Sequence, residues 1–431
     1  MIALLTIVST SALADSPLKK IHAFNGSDGS GPVANLIADK AGNLYGTTEY
    51  GGAGGYYGTI FRVSRPTHRG DPWTTTILYA FKNTGDGARP TGGLLLDDAG
   101  NLFGTTSDSN AGGYGEVFEL SPPTSPGGTW TETVLYRFSG SKSDGAYPQG
   151  GLIADPSGNL YGTTESSVFE LSPPATEGGQ WTFTQLHFFV CCTDDGFTAH
   201  AGLVRDGQGN LYGTTEIGGF YGTGFCAYLG CGTVFEVSPP PTKGDPWTEK
   251  VLYRFKSNLK GFSDGLNPLG SLILDQAGNL YGSTYGGGAL GGGTVFELSP
   301  PNQSSDTWTE AILHNFSYAS NDGAAPVGNL IFDKLGNLYG TTLFGGNGCI
   351  YYATAYGCGT IFELRPTQGG AWDETVLYFF PRAPWAADFP AAGLLLDSTG
   401  SLFGTTQYGG NPNACAGNPV NGCGTVFRLE R

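Results

Sequence analysis

Short apolar runs alternate with glycine-, proline- and serine-rich punctuation along nearly the whole chain. No stretch sustains the 3.6-residue period of an amphipathic helix. One phrase recurs seven times: NLYGTT at Asn43, NLFGTT at Asn101, NLYGTT at Asn159 and Asn210, NLYGST at Asn279, NLYGTT at Asn337 and SLFGTT at Ser401. The leading residues are 58, 58, 51, 69, 58 and 64 positions apart, and periods of this length mark propellers and other repeat arrays. Each unit holds a GLLLD-like run, a D-x-x-G-N turn, the NLYGTT phrase, a glycine-rich loop, GTVFEL, a Ser-Pro-Pro loop and W-T-E-T-V-L-Y-R-F. Four of these segments are short, rich in β-branched and aromatic residues and bounded by turn formers, so they read as strands.

Four antiparallel strands per unit and seven units predict an all-β chain folded as a seven-bladed β-propeller. A parallel β-helix is the runner-up, but its coils are much shorter than this repeat. The ends predict how the ring closes. Ile21–Phe24 reads IHAF and matches the fourth strand LYRF, whereas the chain finishes on a third strand, Gly424–Leu429. The N-terminal segment should therefore complete the blade formed by 392–397, 401–406 and 424–429, removing the open junction. A charge pattern suggests cross-strand pairs of Glu119 with Arg137 and Glu236 with Arg254, while Arg62 and Arg428 would face Ala80 and Ala23.

Composition narrows the class. The 431 residues include 72 glycines, and charged residues make up only 13%, about half the usual ~25%. Aromatics at 13% rule out a disordered polar tract. The 21 basic and 37 acidic residues leave a net charge of −16, and no basic run exists to displace counterions, so a nucleic-acid partner is not expected. No later stretch approaches the ~18 apolar residues of a membrane helix.

Residues 1–14, MIALLTIVSTSALA, end in a small-x-small site and read as a signal peptide truncated of its basic region. Residues 15–431 would then form a single propeller domain outside the cell or in its envelope. Six of the eight cysteines form local pairs, Cys226/Cys231, Cys349/Cys358 and Cys415/Cys423, each ending just before a Gly-Thr-(Val/Ile)-Phe strand. Such short closures suit disulfide clips on long loops, and their spacing does not suit zinc.

The L-x-F fourth strand, the Asp-Gly dipeptide and the D-x-x-G-N-L-Y-G-T-T-x-x-G-G core resemble the GloVer-type tandem repeat of choice-of-anchor bacterial surface proteins. The HAF-type extracellular repeat is a looser match. The resemblance covers roughly 21–431. It implies export and a repeat fold, and no reaction. Such proteins often end in an anchoring segment; this chain stops at Arg431, so it resembles an unanchored or truncated member.

Residues present in every unit read as scaffold. Asp39 and its six equivalents cap their own turns. Gly46 and its equivalents permit close backbone approach, and Trp73, Trp130, Trp181, Trp247, Trp308 and Trp372 read as packing anchors. His22, His187 and His314 share a slot with Tyr79, Tyr136, Tyr253 and Tyr378 and read as structural substitutes. Asp-Gly before the first strand reads as a turn rather than a calcium loop, which needs six to eight oxygens. No metal or cofactor is expected.

What varies is the candidate function. The loops between second and third strands range from Glu165-Ser166-Ser167 to the long Glu216–Cys231, Leu343–Cys358 and Gln407–Cys423, all on one face. Functional residues concentrate on loops held by a rigid scaffold. The ligand-binding candidates on that face are Tyr56, Tyr57, Phe220, Tyr221, Tyr228, Tyr351, Tyr352, Tyr356 and, on a loop from a fourth to a first strand, Trp385, rings suited to apolar sugar faces or a partner protein, together with His200 near it. The first reading is a monomeric, non-catalytic binding propeller recognising a polysaccharide or a cell-surface protein. The second is a carbohydrate-active enzyme. It would need two carboxylates flanking a groove, drawn from Glu49, Glu165, Glu216 and Asp388. A G-x-S-x-G nucleophile and nucleotide-binding glycine motifs are missing. A channel lined by repeated small or apolar residues would favour binding. Non-repeating acids of raised pKa in the channel would favour catalysis.

Overall fold

The computed structural model describes residues 17–431, apart from 54, 69, 110–112, 177, 192–193, 220–225, 227–228, 243, 257–263, 303–304, 320, 347–349, 352–353, 356, 382–386, 412 and 416–421. The expected signal segment, 1–14, lies outside the described residues. Among them every regular element is a strand. Seven four-stranded antiparallel sheets form the blades. Blade 1 runs Ile37–Ala38, Leu44–Thr48, Thr59–Ser64 and Thr74–Ala80, and blades 2 to 6 repeat that order. Among the described residues no helix is long and apolar enough to cross a membrane.

Blade 7 takes its first three strands from Leu395–Leu396, Leu402–Thr406 and Thr425–Leu429 and its fourth from Leu18–Ala23. Leu18 pairs with Leu429 and Ala23 with Thr425, with a bulge between Lys20 and His22. The same bulge interrupts every other third–fourth strand pair, for example between Ile60 and Phe61. The N-terminal segment is thus a true fourth strand, as the repeat pattern predicts.

The cross-strand charge pairs do not form. Glu119 faces Thr133 and Glu236 faces Lys250, while Arg62 faces Thr76 and Arg428 faces Lys19. The fourth strand runs antiparallel to the third, so its last residue meets the third strand's first. Arg137 accordingly faces Glu116, to which its Nε donates at 2.8 Å, and Arg254 faces Thr233. Ala80 and Ala23 face Thr59 and Thr425.

The core is shared between blades. The phenylalanine closing each fourth strand meets the third-strand phenylalanine of the next blade edge to face. The seven pairs run Phe24–Phe61, Phe81–Phe118, Phe138–Phe169, Phe189–Phe235, Phe255–Phe296, Phe316–Phe362 and Phe380–Phe427, with centroids 5.0–5.6 Å apart. Each such pair adds about 1 kcal/mol beyond its buried area. The anchoring tryptophans also reach backwards, Trp73 to Phe403 and Trp181 to Phe103.

The turn aspartates do what the sequence suggests. Asp39 accepts the Ala41 and Asn43 N–H groups on Oδ1, and the Asn43 amide and the Tyr45 hydroxyl on Oδ2. Disulfides join Cys226 to Cys231 and Cys415 to Cys423. Cys358 is disulfide-bonded, and its expected partner Cys349 lies outside the described residues.

Candidate binding site at the channel mouth

In blades 1 to 6 the path into the first strand begins at the Asp-Gly turn, which blade 7 replaces with Ala386-Ala387. Two residues past that glycine, or past Ala387 in blade 7, the backbone enters the left-handed region in all seven blades. These residues are Gly31, Arg89, Tyr147, Thr198, Asn267, Ala325 and Phe389, with φ between 54° and 67°. Six are not glycine, and each pays the ~1–2 kcal/mol of that conformation. Such strain persists only where the surroundings over-determine it. Here the residue's N–H donates to a carbonyl of the preceding blade, Arg89 to Tyr57 at 2.8 Å and Phe389 to Cys358 at 3.0 Å. In six blades its own carbonyl accepts the N–H of the residue following the second strand, as Arg89 does from Ser107 at 3.1 Å. Cys231, Cys358 and Cys423 supply three of these inter-blade carbonyls, to Asn267, Phe389 and Gly31. The clips therefore hold the hydrogen bonds between blades as well as their own loops.

A proline follows the left-handed residue in six blades and packs on the glycine that opens the preceding blade's third strand. A Cβ on Gly58 would lie 2.5 Å from Pro90 Cδ, and one on Gly424 the same distance from Pro32 Cδ. Blade 3 has Ser166 in place of that glycine, and blade 4 correspondingly has Ala199 in place of the proline. Glu165 O there accepts both Thr198 N and Ala199 N, at 2.9 and 3.2 Å. His200 comes next.

The residues at this next position, Val33, Thr91, Gln149, His200, Leu269, Val327 and Ala391, ring a central cavity of about 670 Å³ lined from all seven blades. The ring is divided. Blades 2 to 4 present Thr91, Gln149 and His200, and blades 5 to 7 with blade 1 present aliphatic side chains. Glu49 and Glu216, which follow their second strands, add carboxylates to the wall. His200 Nε2 lies 3.3 Å from Glu216 Oε2, and its Nδ1 is buried without a hydrogen-bond partner. Arg89 Nη2 donates to Glu49 Oε1 at 2.6 Å and to the Tyr50 hydroxyl at 2.9 Å. Burial, with Glu49 beside it, pushes the Tyr50 hydroxyl up to about 12. A side hollow of about 280 Å³ shares Glu49, Thr91 and Gln149 with the channel and adds Arg89, Asp108 and Tyr147.

The acids of clearly raised pKa lie elsewhere, at the outer junctions between blades. In six blades the tyrosine or histidine near the fourth-strand end reaches the Asp of the next Asp-Gly turn, for example Tyr79 to Asp86 at 2.9 Å, Tyr253 to Asp264 at 3.0 Å, His22 to Asp28 and His187 to Asp195 at 3.1 Å. A glutamate from the next fourth strand joins four junctions. Burial above all, with a carboxylate beside it, pushes Glu132 up to about 7 and Glu310 to about 8. Burial likewise pushes Glu249 and Glu374 to about 7, and Asp388 at another junction to the same range.

The folded state thus keeps protons on Glu132 and Glu310 that the unfolded chain has released by neutral pH. This contribution to stability is complete below the unfolded carboxylate range of ~4.3 and is lost as pH rises through 7 and 8. The neutral mimics Glu132→Gln and Glu310→Gln should leave the melting temperature nearly unchanged at about pH 4. At pH 8.5 each should raise it, on the order of 2 °C, in thermal scans of the paired proteins.

The predicted ligand-binding residues divide. His200 lines the channel. Tyr56 is 79% exposed on the blade 1 loop. Tyr57 instead packs on the blade 1–2 core and gives its carbonyl to Arg89. Tyr351 pairs with Thr354 in a two-residue hairpin on the blade 6 loop. Phe220, Tyr221, Tyr228, Tyr352, Tyr356 and Trp385 lie outside the described residues. Arg89, Gln149 and Tyr147 were not singled out by the sequence reading. Their signal was present, as variable positions inside an Asp-Gly-x-x-Pro-x step that five of the seven blades keep whole.

The profile of the Gloeobacter/Verrucomicrobia repeat matches residues 6–168 and 165–414. No curated protein matches the chain. Among solved structures, the chain is similar to PorZ, a surface component of the type-IX secretion system of Porphyromonas gingivalis, at 14% identity and a TM-score of 0.48. That match covers 92% of this chain and 46% of PorZ, so the chain spans about half of PorZ's length. A gluconolactonase of Xanthomonas campestris matches at 14% identity and a TM-score of 0.40, over 80% of this chain and 87% of that one. A carbohydrate-active enzyme of family AA12 from Trichoderma reesei matches at 10% identity and a TM-score of 0.41, over 93% and 98%.

Proposed function

The chain belongs to the Gloeobacter/Verrucomicrobia repeat family, and on that footing we propose that it is an exported, non-catalytic binding propeller whose ligand enters the channel mouth. The observation that carries this reading is the divided ring. A wall of Thr91, Gln149, His200, Glu49 and Glu216 stands across from Leu269, Val327, Ala391 and Val33. A saccharide unit has a matching division, with hydroxyls around its rim and an apolar C–H face. The buried, unpartnered His200 Nδ1 is a polar group that a ligand hydroxyl would satisfy. The paired cysteines support an oxidising compartment.

Two features weigh against a glycosidase. Each channel carboxylate described above has a basic side chain close by, Arg89 at Glu49 and His200 at Glu216. The carboxyls with raised pKa stand at the blade junctions. The rest of the channel wall is largely glycine, alanine and aliphatic.

The test is a glycan-array and polysaccharide pull-down screen with the disulfide-intact protein, followed by titration of His200→Ala, Gln149→Ala and Tyr56→Ala. Binding should weaken at least tenfold in the first two and remain within twofold in the third, with no product released from the bound glycan. Binding governed by Tyr56 instead would move the site to the outer loops. Hydrolysis lost in Glu49→Gln or Glu216→Gln would establish the enzyme reading.

A further inference from the structure

The junctions repeat three positions: the fourth-strand tyrosine or histidine, the Asp-Gly aspartate (present at six of the seven) and a residue near the start of the next fourth strand. Blades 1/2 and 4/5 combine Tyr79, Asp86 and Glu132, and Tyr253, Asp264 and Glu310. Blades 2/3 have Tyr136, Asp144 and Phe183, with the two rings stacked at 4.4 Å. Blades 7/1 have His22, Asp28 and Thr75, and blades 6/7 have Tyr378 and Leu18, with Ala386-Ala387 standing in place of Asp-Gly. Blades 3/4 and 5/6 alone combine an imidazole with both carboxylates: His187, Asp195 and Glu249, and His314, Asp322 and Glu374.

We propose that these two junctions are binding sites for a first-row divalent cation of the zinc, cobalt or manganese class, one ion per junction. The donor atoms of each trio lie within 4.8 Å of one another. The His187 Nε2–Asp195 Oδ2 separation is 3.1 Å and the His314 Nε2–Asp322 Oδ1 separation is 3.6 Å. Ligands bonded at about 2.1 Å to one ion stand about 3.0–3.4 Å apart in octahedral or tetrahedral arrangement. Oε1 of Glu249 and of Glu374, and Nε2 of His314, are buried with no hydrogen-bond partner. These are the atoms an ion would take up.

The aspartates are already oriented. Asp195 accepts the Val190 and Gly196 N–H groups, and Asp322 accepts those of Ser317 and Gly323. Outer hydrogen bonds of this kind fix a ligating carboxylate. The histidine and aspartate side chains are 13–21% exposed, which gives an ion entry and leaves room for water in the remaining positions. An imidazole nitrogen selects against calcium, which prefers an all-oxygen shell. At the 1/2, 2/3 and 4/5 junctions a neutral tyrosine hydroxyl donates to the aspartate instead and offers no such ligand. Each ion would join the fourth strands of two blades through the turn between them. Blades 3/4 are also the junction that lacks the glycine–proline contact.

The test uses the full chain without a histidine tag, stripped with a chelator and titrated with Zn²⁺ and Co²⁺ by calorimetry and visible absorption. Two ions should bind per chain. His187→Tyr and His314→Tyr, which install the side chain native to four other junctions, should each remove one ion, and the double variant should bind none. Tyr253→His should add a third, and His200→Ala should leave the number at two. Circular dichroism checks that each variant is folded. Fewer than two ions in the native chain, or an unchanged number in the folded double variant, would overturn the proposal.

Discussion

Deleting residues 1–24 should abolish cooperative folding of the ring. The loss removes the whole ladder from Leu18 to Ala23 against Thr425–Leu429, and with it Phe24, which is fully buried among Leu36, Phe61, Phe403 and Val426. Truncating one such phenylalanine costs about 3–5 kcal/mol. The Phe24–Phe61 contact goes too, as does the Gly424 carbonyl's bond from Phe24 N at 3.0 Å. The exposed edge of Thr425–Leu429 then becomes a template for pairing with another chain. Calorimetry should show a broad, low transition in place of a single sharp one, and light scattering should show association. The complementary variant grafts 17–24 after Glu430 through the residue 239–247 loop of blade 4, so that the missing strand returns as a hairpin. Recovery of the native melting temperature would confirm that the strand acts by its position in the blade. A deletion that melts like the full chain would show that the ring does not depend on it.

Gly213→Ala should destabilise by about 1–2 kcal/mol, although alanine is the better residue for an extended backbone. A Cβ there would lie 2.5 Å from Phe235 Cζ and 3.0 Å from Leu203 Cδ2. Phe235 is fully buried, and its ring packs edge to face on Phe189. Overpacking of this kind costs about 1–3 kcal/mol or more, against a gain of about 0.5–1 kcal/mol from replacing glycine. The clash wins. The paired variant Gly213→Ala/Phe235→Leu removes the ring atom from that space and should recover part of the loss. Denaturant titration of the three proteins measures it, and independent, additive effects would contradict the contact. The same geometry recurs at Gly46, Gly104, Gly162, Gly282, Gly340 and Gly404, where the third-strand phenylalanine Cζ stands 2.5–2.7 Å from the same point. The recurring glycine of NLYGTT is thus the seat of a phenylalanine ring.

Much of the candidate site was hidden in the chain for one reason: its residues come from different blades. His200 stood out because histidine is rare and this one falls outside the shared tyrosine slot. Arg89 and Gln149 occupy the same step of the repeat in other blades, about 50 to 110 residues earlier. They join His200 only once the ring is closed. The junction histidines were read as substitutes for tyrosine, and their hydrogen bonds to Asp28 and Asp195 agree with that. The glutamate that separates His187 and His314 from His22 lies on the next fourth strand, beyond the reach of local pattern.

The sequence by itself determined the blade number, the strand order, the turn caps and the source of the closing strand. Each is a local pattern repeated seven times, and repetition makes a weak signal certain. Only the tertiary structure decided the register of third and fourth strands, which the bulge and antiparallel pairing fix. It alone decided which variable side chains face one another across the channel and which acids share a junction. Those contacts form between blades, where distance along the chain says little about distance in space.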